Sequence, residues 1–373
     1  MPINKVDGKK DGKQKYRVRV NYTDDYGKAR QIERTAYGLE EAKAMEVELN
    51  YKINSKEEVI KSITMQQLHE EYIRNKKVDT RESTVNQSAS IYDIHIKDFF
   101  NGIQLDKIKL PILQSWKNAL GEKDLSLTTK KNIYSELRTM LNYAVKMEYI
   151  AKNPLDKIGN FKNVSEIKKE MQFYTPEEFL KFIKPAKELA ETGTIQDSGF
   201  YIFFMLAYYT GCRRGEINAL RWCDIKGEEV YITRSVSQKL KGEDRITPPK
   251  NKSSIRNIQL PTPLINALNS HKAKCKTLEG FSEECLVCGF DKPLRDTTLQ
   301  KRYDLYAEKS GAKKIRIHDF RHSHASLLAN NGINIQEIAR RLGHAKIEMT
   351  LNTYAHLYPK EKERAIEVLN KIK

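Results

Sequence analysis

Residues 318–329 read HDFRHSHASLLA, and this stretch decides how the C-terminal half of the 373-residue chain folds. The apolar spacing predicts a helix that begins near His318, runs through Leu328 and stops at Asn331-Gly332. Positions three apart share one face of a helix, so His318 and Arg321 can point at one target. The stretch therefore predicts a helix that presents an imidazole and a guanidinium together.

Two motifs follow this helix and one precedes it. After a short predicted helix comes LGH at residues 342–344, and Tyr354 lies ten residues beyond His344 within TLNTYAHLY. Upstream, TGCRRGEINALRW at residues 210–222 places Arg213 just after a glycine turn, at the head of a predicted amphipathic helix. A helix N-terminus and a guanidinium fork both favour phosphate oxygens, so this turn is suited to hold an anion.

A predicted β-hairpin lies between these motifs. Residues 229–234 and 254–260 both alternate apolar and polar side chains, and PPKNK at residues 248–252 lies at the entry to the second run. A lysine on a hairpin tip can reach into a DNA groove and can donate a proton. The chain has 8 His, 19 Tyr and 66 Lys plus Arg, so any one of these residues alone is more often packing or surface. Their joint order carries the information.

Composition sets outer limits on the function. The net charge of +17 favours an anionic partner such as nucleic acid, with a merely soluble basic protein as the alternative. The longest apolar run, residues 199–209, is too short to span a bilayer, and the N-terminus MPINKVDGKK is no secretory signal. We therefore expect a cytoplasmic protein without a membrane partner. The five cysteines include one C-x-x-C, Cys285 and Cys288, with Cys275 as a possible third ligand and no fourth, so we expect no metal.

The N-terminal third divides into two predicted domains. In residues 1–35 apolar and polar side chains alternate, which predicts strands, and this stretch carries ten basic and five acidic side chains. Residues 39–53 place apolar side chains on one stripe of a predicted helix and carry two basic and four acidic side chains. A basic ribbon of two or three strands fits the DNA major groove, and a small module with a solvated basic face is the alternative. Residues 62–155 predict four helices, at 64–74, 83–100, 109–120 and 128–149, the last of them ending at Asn153-Pro154.

The C-terminal motifs resemble the catalytic domain of tyrosine recombinases, specifically integrases of phages and conjugative transposons similar to lambda integrase. The resemblance covers roughly residues 173–373. It implies that Arg213 and Arg321 clamp the scissile phosphate, with Glu216 supporting Arg213. It implies that His318 and His344 hydrogen-bond this phosphate and assist proton movement. It also implies that Lys250 is the general acid, with Lys252 as the alternative, and that Tyr354 is the nucleophile.

The resemblance also sets the expected organisation and activity. We expect a multidomain, mainly α protein with small β elements: an arm-site DNA-binding domain at 1–60 with a three-stranded sheet and a helix, a four-helix core-binding domain at 61–160, a linker at 161–173, and a mixed α/β catalytic domain at 174–373. A tail helix at 359–373 would pack within its own protomer or on a neighbour. Thr175-Pro176-Glu177-Glu178 predicts a capping box where the catalytic domain begins.

The expected function is site-specific cleavage and rejoining of double-stranded DNA through a 3′-phosphotyrosyl intermediate. It would integrate and excise a mobile element, acting as a homo-tetramer on core-type and arm-type sites through a Holliday junction. An excision factor and a DNA-bending protein are plausible partners. No phosphate-binding G-x-x-x-x-G-K-[ST] loop is present in the sequence, and we expect no cofactor. The alternatives are a non-catalytic DNA-binding regulator, or a resolvase or type IB topoisomerase with the same chemistry.

Overall fold

The computed structural model describes residues 3–10, 12–23, 28–54, 63–162, 171–237, 245–247, 254–355 and 369–370. The chain divides into two compact units, Met1–Glu166 and Ile167–Lys373. Within the described residues, no helix is both long and apolar enough to cross a membrane. The predicted boundary at residue 60 falls inside the first unit and stays a prediction, and most of the predicted linker lies outside the described residues.

The first unit begins with a three-stranded antiparallel sheet and a helix, as predicted. The strands pair in the order β1-β2-β3, and the elements are β1 Ile3–Lys10, β2 Lys13–Thr23, β3 Ala29–Tyr37 and α1 Leu39–Asn54. Val18 from β2, Ala36 from β3 and Ala42 from α1 form its buried core. Leu39, the first residue of α1, is 48% exposed, whereas Ala42 is fully buried. The predicted turn at residues 24–27 lies outside the described residues.

The helical part of the first unit has a core of its own around Trp116 and Tyr134. Its helices are α2 Met65–Asp79, α3 Glu82–His95, α4 Lys97–Phe100, α5 Leu110–Glu122 and α6 Leu127–Lys146. The second predicted helix is thus broken at Ile96, which separates α3 from α4. The other three predicted helices are present, although α2 runs to Asp79, five residues beyond its predicted end at residue 74.

The predicted end of α6 was wrong. The helix ends at Lys146, and Glu148 adopts a left-handed backbone with φ of 60°. The Tyr149 amide donates to the Ala144 carbonyl and the Glu148 amide to Val145, the paired bonds of a Schellman motif. Glu148 thus occupies the position that glycine usually takes, which hid the helix end in the sequence. Asn153 instead caps the short 3₁₀ turn Pro154–Lys157.

The second unit is mainly helical around an aromatic core. Its first helices are α7 Pro176–Thr192, α8 Ile195–Thr210 and α9 Arg214–Asn218, followed later by α10 Thr262–Cys275 and α11 Asp296–Ser310. Thr175 and Glu178 form the predicted capping box at the start of α7. The amphipathic helix predicted to begin at Arg213 is α9, which is short and ends at Asn218. Residues 222–224 instead form a 3₁₀ turn.

The predicted hairpin consists of two separate pairings. The small antiparallel sheet has the order β4-β5-β8, from β4 Ile225–Lys226, β5 Glu229–Ile232 and β8 Arg256–Gln259. A second pair, β6 Ser235–Ser237 with β7 Arg245–Thr247, is inserted between β5 and β8. These three-residue strands are too short for their alternation to be recognised in a sequence. Lys250 and Lys252 lie outside the described residues.

Three further helices follow in the second unit. They are α12 Asp319–Asn330, α13 Ile335–Leu342 and α14 Ile347–Tyr354. Tyr354 packs with Ala325, Ala329, Ile338 and Leu342 in a small core that all three helices share. This packing brings the end of α14 against α12. The tail helix predicted at 359–373 lies outside the described residues, apart from 369–370.

Candidate active site

Arg321 is the most deeply buried cation of the predicted set. Its side chain projects from the first turn of α12 and donates to the Gly211 carbonyl at 2.8 Å and the Leu342 carbonyl at 2.7 Å. Burial lowers the pKa of Arg321 to about 10, and the charge of Arg213 acts in the same direction, so the guanidinium stays charged at neutral pH. Within the described part of the chain, no carboxylate lies at salt-bridge distance from it. A buried cation without a carboxylate partner is costly, and an anionic ligand would stabilise it.

Arg213 lies immediately beyond the left-handed turn that ends α8. Gly211 has φ of +65°, and a Cβ at this position would approach the His324 ring to 2.7 Å, so the turn requires glycine. Arg213 then caps α9, and its guanidinium pairs with Glu216 at 2.8 Å and reaches the Gly343 carbonyl at 3.4 Å. Its side chain is 38% exposed, so it is open to a ligand.

Glu216 is held between two guanidinium groups. Its Oε1 pairs with Arg213, and its Oε2 pairs with Arg256 of β8 at 2.9 Å. Burial alone would raise the pKa of Glu216, but Arg256 and then Arg213 hold it below its usual value. The carboxylate therefore stays ionised and fixes the Arg213 side chain. This contact agrees with the supporting role that the family resemblance implied for Glu216, whereas no motif indicated Arg256.

Arg256 connects the small sheet to the end of α13. Its side chain is almost fully buried, and its Nε donates to the Arg341 carbonyl at 2.6 Å. Gly343, which ends α13 with φ of +67°, would place a Cβ 2.9 Å from Nη1 of Arg256. The LGH motif thus has its glycine because both the backbone angle and this close approach exclude a side chain.

His344 is oriented from the same turn. Its Nδ1 lies 2.7 Å from the Thr350 hydroxyl, which fixes the imidazole ring. Burial lowers the pKa of His344 to about 4, followed by the charges of Arg321 and Arg213. The imidazole is therefore neutral at pH 7 when no anion is bound. His318 caps α12 and is also partly buried, and burial and then His322 and Arg321 lower its pKa.

Tyr354 is the last residue of α14, and its side chain is 1% exposed. Its hydroxyl lies 2.7 Å from Nδ1 of His322, the residue that follows Arg321. Burial raises the pKa of Tyr354 to about 12, although the nearby charge of Arg321 pulls it down. His322 was not among the predicted site residues. The only feature of the sequence that pointed to it is its position within HDFRHSH, next to Arg321, because a contact between residues 32 positions apart is not visible in a sequence.

Five of the six predicted catalytic residues therefore gather in the second unit. Arg213 and Arg321 both reach the Leu342-Gly343 segment, and His344 follows it directly. Tyr354 and His318 both contact His322. The sixth, Lys250, lies outside the described residues together with its alternative, Lys252. The geometry is that of an anion site lined by cations and imidazoles, with a buried phenol beside it.

The cysteines form no comparable site. His271 is bonded to the Ser198 hydroxyl and the Val287 carbonyl, both at 2.8 Å, so both ring nitrogens are used in the fold. Cys275 and Cys288 are buried, and burial raises the pKa of the Cys275 thiol to about 11. Among the residues for which coordinates are described, no group of three or more His, Cys, Asp and Glu is placed to hold a metal ion.

Comparison with known families identifies this arrangement. Residues 172–361 match the phage integrase family, and residues 64–171 match the phage integrase SAM-like domain. This chain belongs to the phage integrase family. It is accordingly a site-specific DNA recombinase of the tyrosine type, an enzyme of mobile-element integration.

Relatives in the family support the same conclusion over nearly the whole chain. The protein is similar to the ICEBs1 integrase of Bacillus subtilis, at 30% identity over 364 residues, which cover 94% of this chain and 95% of that protein. A XerC-like tyrosine recombinase of Caldanaerobacter subterraneus is 30% identical, with 97% of each chain covered. The transposase from transposon Tn916 of Enterococcus faecalis is 25% identical and covers 74% of this chain and 70% of that protein.

Solved structures of integrases share the fold. The Tn1549 transposon integrase in complex with a circular intermediate DNA superposes with a TM-score of 0.66 at 22% identity, covering 83% of this chain and all of that one. A lambda integrase dimer bound to a COC′ core site gives a TM-score of 0.57 at 18% identity, covering 94% and 93%. The expected mainly helical architecture with small antiparallel sheets is thereby confirmed.

Proposed function

We propose that Tyr354 attacks a DNA phosphodiester held by Arg213 and Arg321, and that this covalent step integrates and excises a mobile element. The observation that carries the proposal is Arg321, a buried guanidinium held by two backbone carbonyls. Removing an ion from water costs several kcal/mol unless a partner compensates for it. A phosphate bound between Arg321 and Arg213 would supply that compensation in bidentate geometry.

The proposed chemistry follows from the groups that surround this phosphate. The Tyr354 oxygen forms a bond to phosphorus, and the bond from phosphorus to the 5′-oxygen breaks, leaving a 3′-phosphotyrosine and a free 5′-hydroxyl. Arg213 and Arg321 stabilise the extra negative charge of the transition state, and His318 and His344 hydrogen-bond the phosphate oxygens. Lys250, or else Lys252, protonates the leaving oxygen. A different 5′-hydroxyl then attacks the phosphotyrosine and reseals the strand.

In the free protein the proposed nucleophile is inactive. With a pKa near 12, the Tyr354 phenol is protonated at neutral pH, and its side chain is almost completely covered. Cleavage therefore requires both an anion at the two arginines and a proton acceptor for the phenol. An enzyme that must cut only at its own sites is protected in this way against random nicking.

The proposed assembly has four protomers on two DNA sites. One solved relative is a lambda integrase tetramer bound to a Holliday junction, which has a TM-score of 0.57 to this chain. We propose the same assembly here, with residues 61–160 and 174–373 binding core-type sites and residues 1–60 binding arm-type sites. An excision factor and a DNA-bending protein would set the direction of the reaction.

A suicide substrate tests the proposed function. Incubation with a core site nicked near the scissile phosphate should trap a covalent protein–DNA complex, because the short leaving strand diffuses away before it can religate. Tyr354→Phe is the matched control, since it keeps the ring and removes only the hydroxyl, and it should give no complex. A wild-type protein that binds its site tightly but forms no adduct would instead favour the non-catalytic DNA-binding regulator.

A further inference from the structure

The hydroxyl of Tyr354 contacts His322, a residue that has no role in the proposed function. The phenol oxygen and Nδ1 of His322 are 2.7 Å apart, and the two ring centroids are 5.8 Å apart. This distance is typical of a short hydrogen bond. His322 is thus in direct contact with the oxygen that must lose its proton.

We propose that His322 is the base that accepts the Tyr354 proton during DNA cleavage, an inference that rests on the proposed function. The O–H bond of Tyr354 breaks as its oxygen bonds to phosphorus, and the proton passes to Nδ1 of His322, which becomes an imidazolium. The 5′-oxygen leaves with a proton from the general acid. In religation the same imidazolium returns the proton to the departing Tyr354 oxygen, so His322 serves both directions.

The other histidines of the site are placed for different work. His344 has its Nδ1 engaged by the Thr350 hydroxyl, and His318 meets His322 edge to face, with centroids 5.6 Å apart. His324 is bonded through its Nδ1 to the Tyr208 carbonyl on the other side of α12. Among the histidines in the described residues, His322 is the one bonded to the Tyr354 hydroxyl.

The charges around His322 keep it ready to accept a proton. The groups that face it are Arg316, His318, Asp319 and Arg321 from α12 and its approach, His344 from the turn after α13, and Tyr354 from α14. Burial lowers the pKa of His322, Asp319 raises it, and Arg316 and Arg321 lower it, with a net shift below 6.5. The imidazole is therefore neutral at pH 7, with a lone pair available for the phenol.

The first test replaces His322 by asparagine. The amide oxygen of His322→Asn can occupy the place of Nδ1, so the hydrogen bond is preserved while the base is lost. We expect single-turnover cleavage of the nicked core site to slow by about 10²- to 10⁴-fold, the usual contribution of a general base. The wild-type rate should fall as the pH is lowered through the His322 pKa, and this acidic limb should be missing in the variant.

The second test removes the need for a base. Fluorine on the Tyr354 ring lowers the phenol pKa, so fluorotyrosine at position 354 should restore cleavage in His322→Asn and change the wild-type rate much less. His318→Asn is the matched control, an equal substitution one helical turn away that removes a phosphate contact. Fluorotyrosine should not restore its rate. This comparison separates a proton acceptor from a residue that merely positions the ring, whose loss fluorination cannot repair.

The outcomes distinguish the two proposals. Cleavage by His322→Asn at the wild-type rate, or a slow variant that fluorotyrosine fails to restore while DNA binding is intact, would overturn the role of His322 and leave the recombinase assignment standing. A wild-type protein that forms no adduct on a tightly bound site would overturn the proposed function itself. Restored cleavage specific to His322→Asn, with a matching defect in religation, supports the inference.

Discussion

At the scale of single residues, the buried carboxylate of Glu216 holds two guanidinium groups of the cluster in place. Glu216 neutralises part of the charge of Arg213 and Arg256, so two guanidinium groups can lie close together without a ligand. Arg321 has no such partner among the described residues, and in the proposed function it binds the phosphate together with Arg213. The cluster thus contains a buried ion pair between Glu216 and Arg256, and in Arg321 a buried cation that no described carboxylate neutralises.

Glu216→Gln should destabilise the second unit, because Arg256 would remain buried without its anion. We expect a loss of about 3–5 kcal/mol in the free energy of unfolding at neutral pH. The folded pKa of Glu216 lies below its ordinary value of 4.5, so its contribution is present above that pH and is lost as the pH falls through the folded pKa. The difference between variant and wild type should therefore shrink on acidification.

The measurement is denaturant unfolding followed by the fluorescence of Trp222. The chain has two tryptophans, so a Trp116→Phe background leaves Trp222 as the reporter of the second unit. Glu284→Gln is the control, because it breaks an exposed ion pair with Arg221 and should leave the free energy nearly unchanged. Equal losses in both variants would show that Glu216 has no special role.

At the scale of elements, the ends of helices position the site. Gly211 ends α8 and Gly343 ends α13, and both glycines have left-handed backbone angles. The backbone carbonyl of each glycine accepts a hydrogen bond from an arginine side chain. The Gly211 carbonyl accepts from Arg321, and the Gly343 carbonyl accepts from Arg213. These helix ends therefore position the two arginines of the proposed phosphate site as well as ending their helices.

Gly343→Ala should damage both stability and cleavage. A left-handed alanine costs about 1–2 kcal/mol, and the Cβ would also press on Arg256, adding about 1–3 kcal/mol for overpacking. Gly227→Ala is the matched control, because Gly227 has φ of +58° and nothing within 4 Å of its Cβ position. We expect Gly227→Ala to unfold slightly more easily and to cleave normally. Equal effects of the two substitutions on cleavage would contradict the close approach of Arg256.

The elements also show what a sequence can reveal. Helix starts such as Thr175 were predictable because a capping box is a local pattern. The end of α6 was not, since Glu148 takes a backbone angle that its side chain does not favour. The arginines, histidines and tyrosine that the motifs predicted as catalytic lie in one cluster, whereas Arg256 and His322 belong to this cluster without any motif that indicated them. Arg256 contacts Glu216 and His322 contacts Tyr354, and in each pair the two residues are far apart in the chain.

At the scale of the whole molecule, the N-terminal sheet is a separate candidate DNA surface. Arg17 and Arg19 alternate with the buried Val18 along β2, so they project from the face opposite α1. Both pair with Glu33 of β3, at 2.9 Å and 2.7 Å. A ribbon with paired arginines on its outer face suits contacts to DNA phosphates and bases in the major groove.

Replacing Arg17 and Arg19 together by alanine should weaken binding to arm-type DNA and leave core-site cleavage unchanged. If each arginine contacts one phosphate, the slope of log affinity against log salt should fall by about 2. Lys43→Ala, an exposed cation on α1, is the control and should bind like wild type. The check is a salt titration by fluorescence anisotropy. An unchanged slope in the double variant would show that this face of the sheet does not contact arm-type DNA.

The central claim is that one phenol, Tyr354, forms the covalent bond to DNA. The most direct test is to digest the trapped protein–DNA complex with protease and nuclease and to locate the nucleotide-bearing residue by mass spectrometry. The account predicts a single modified peptide with the 3′-phosphate on Tyr354. A phosphate found on any other residue, such as the exposed tyrosines or a serine of the hairpin region, would contradict it.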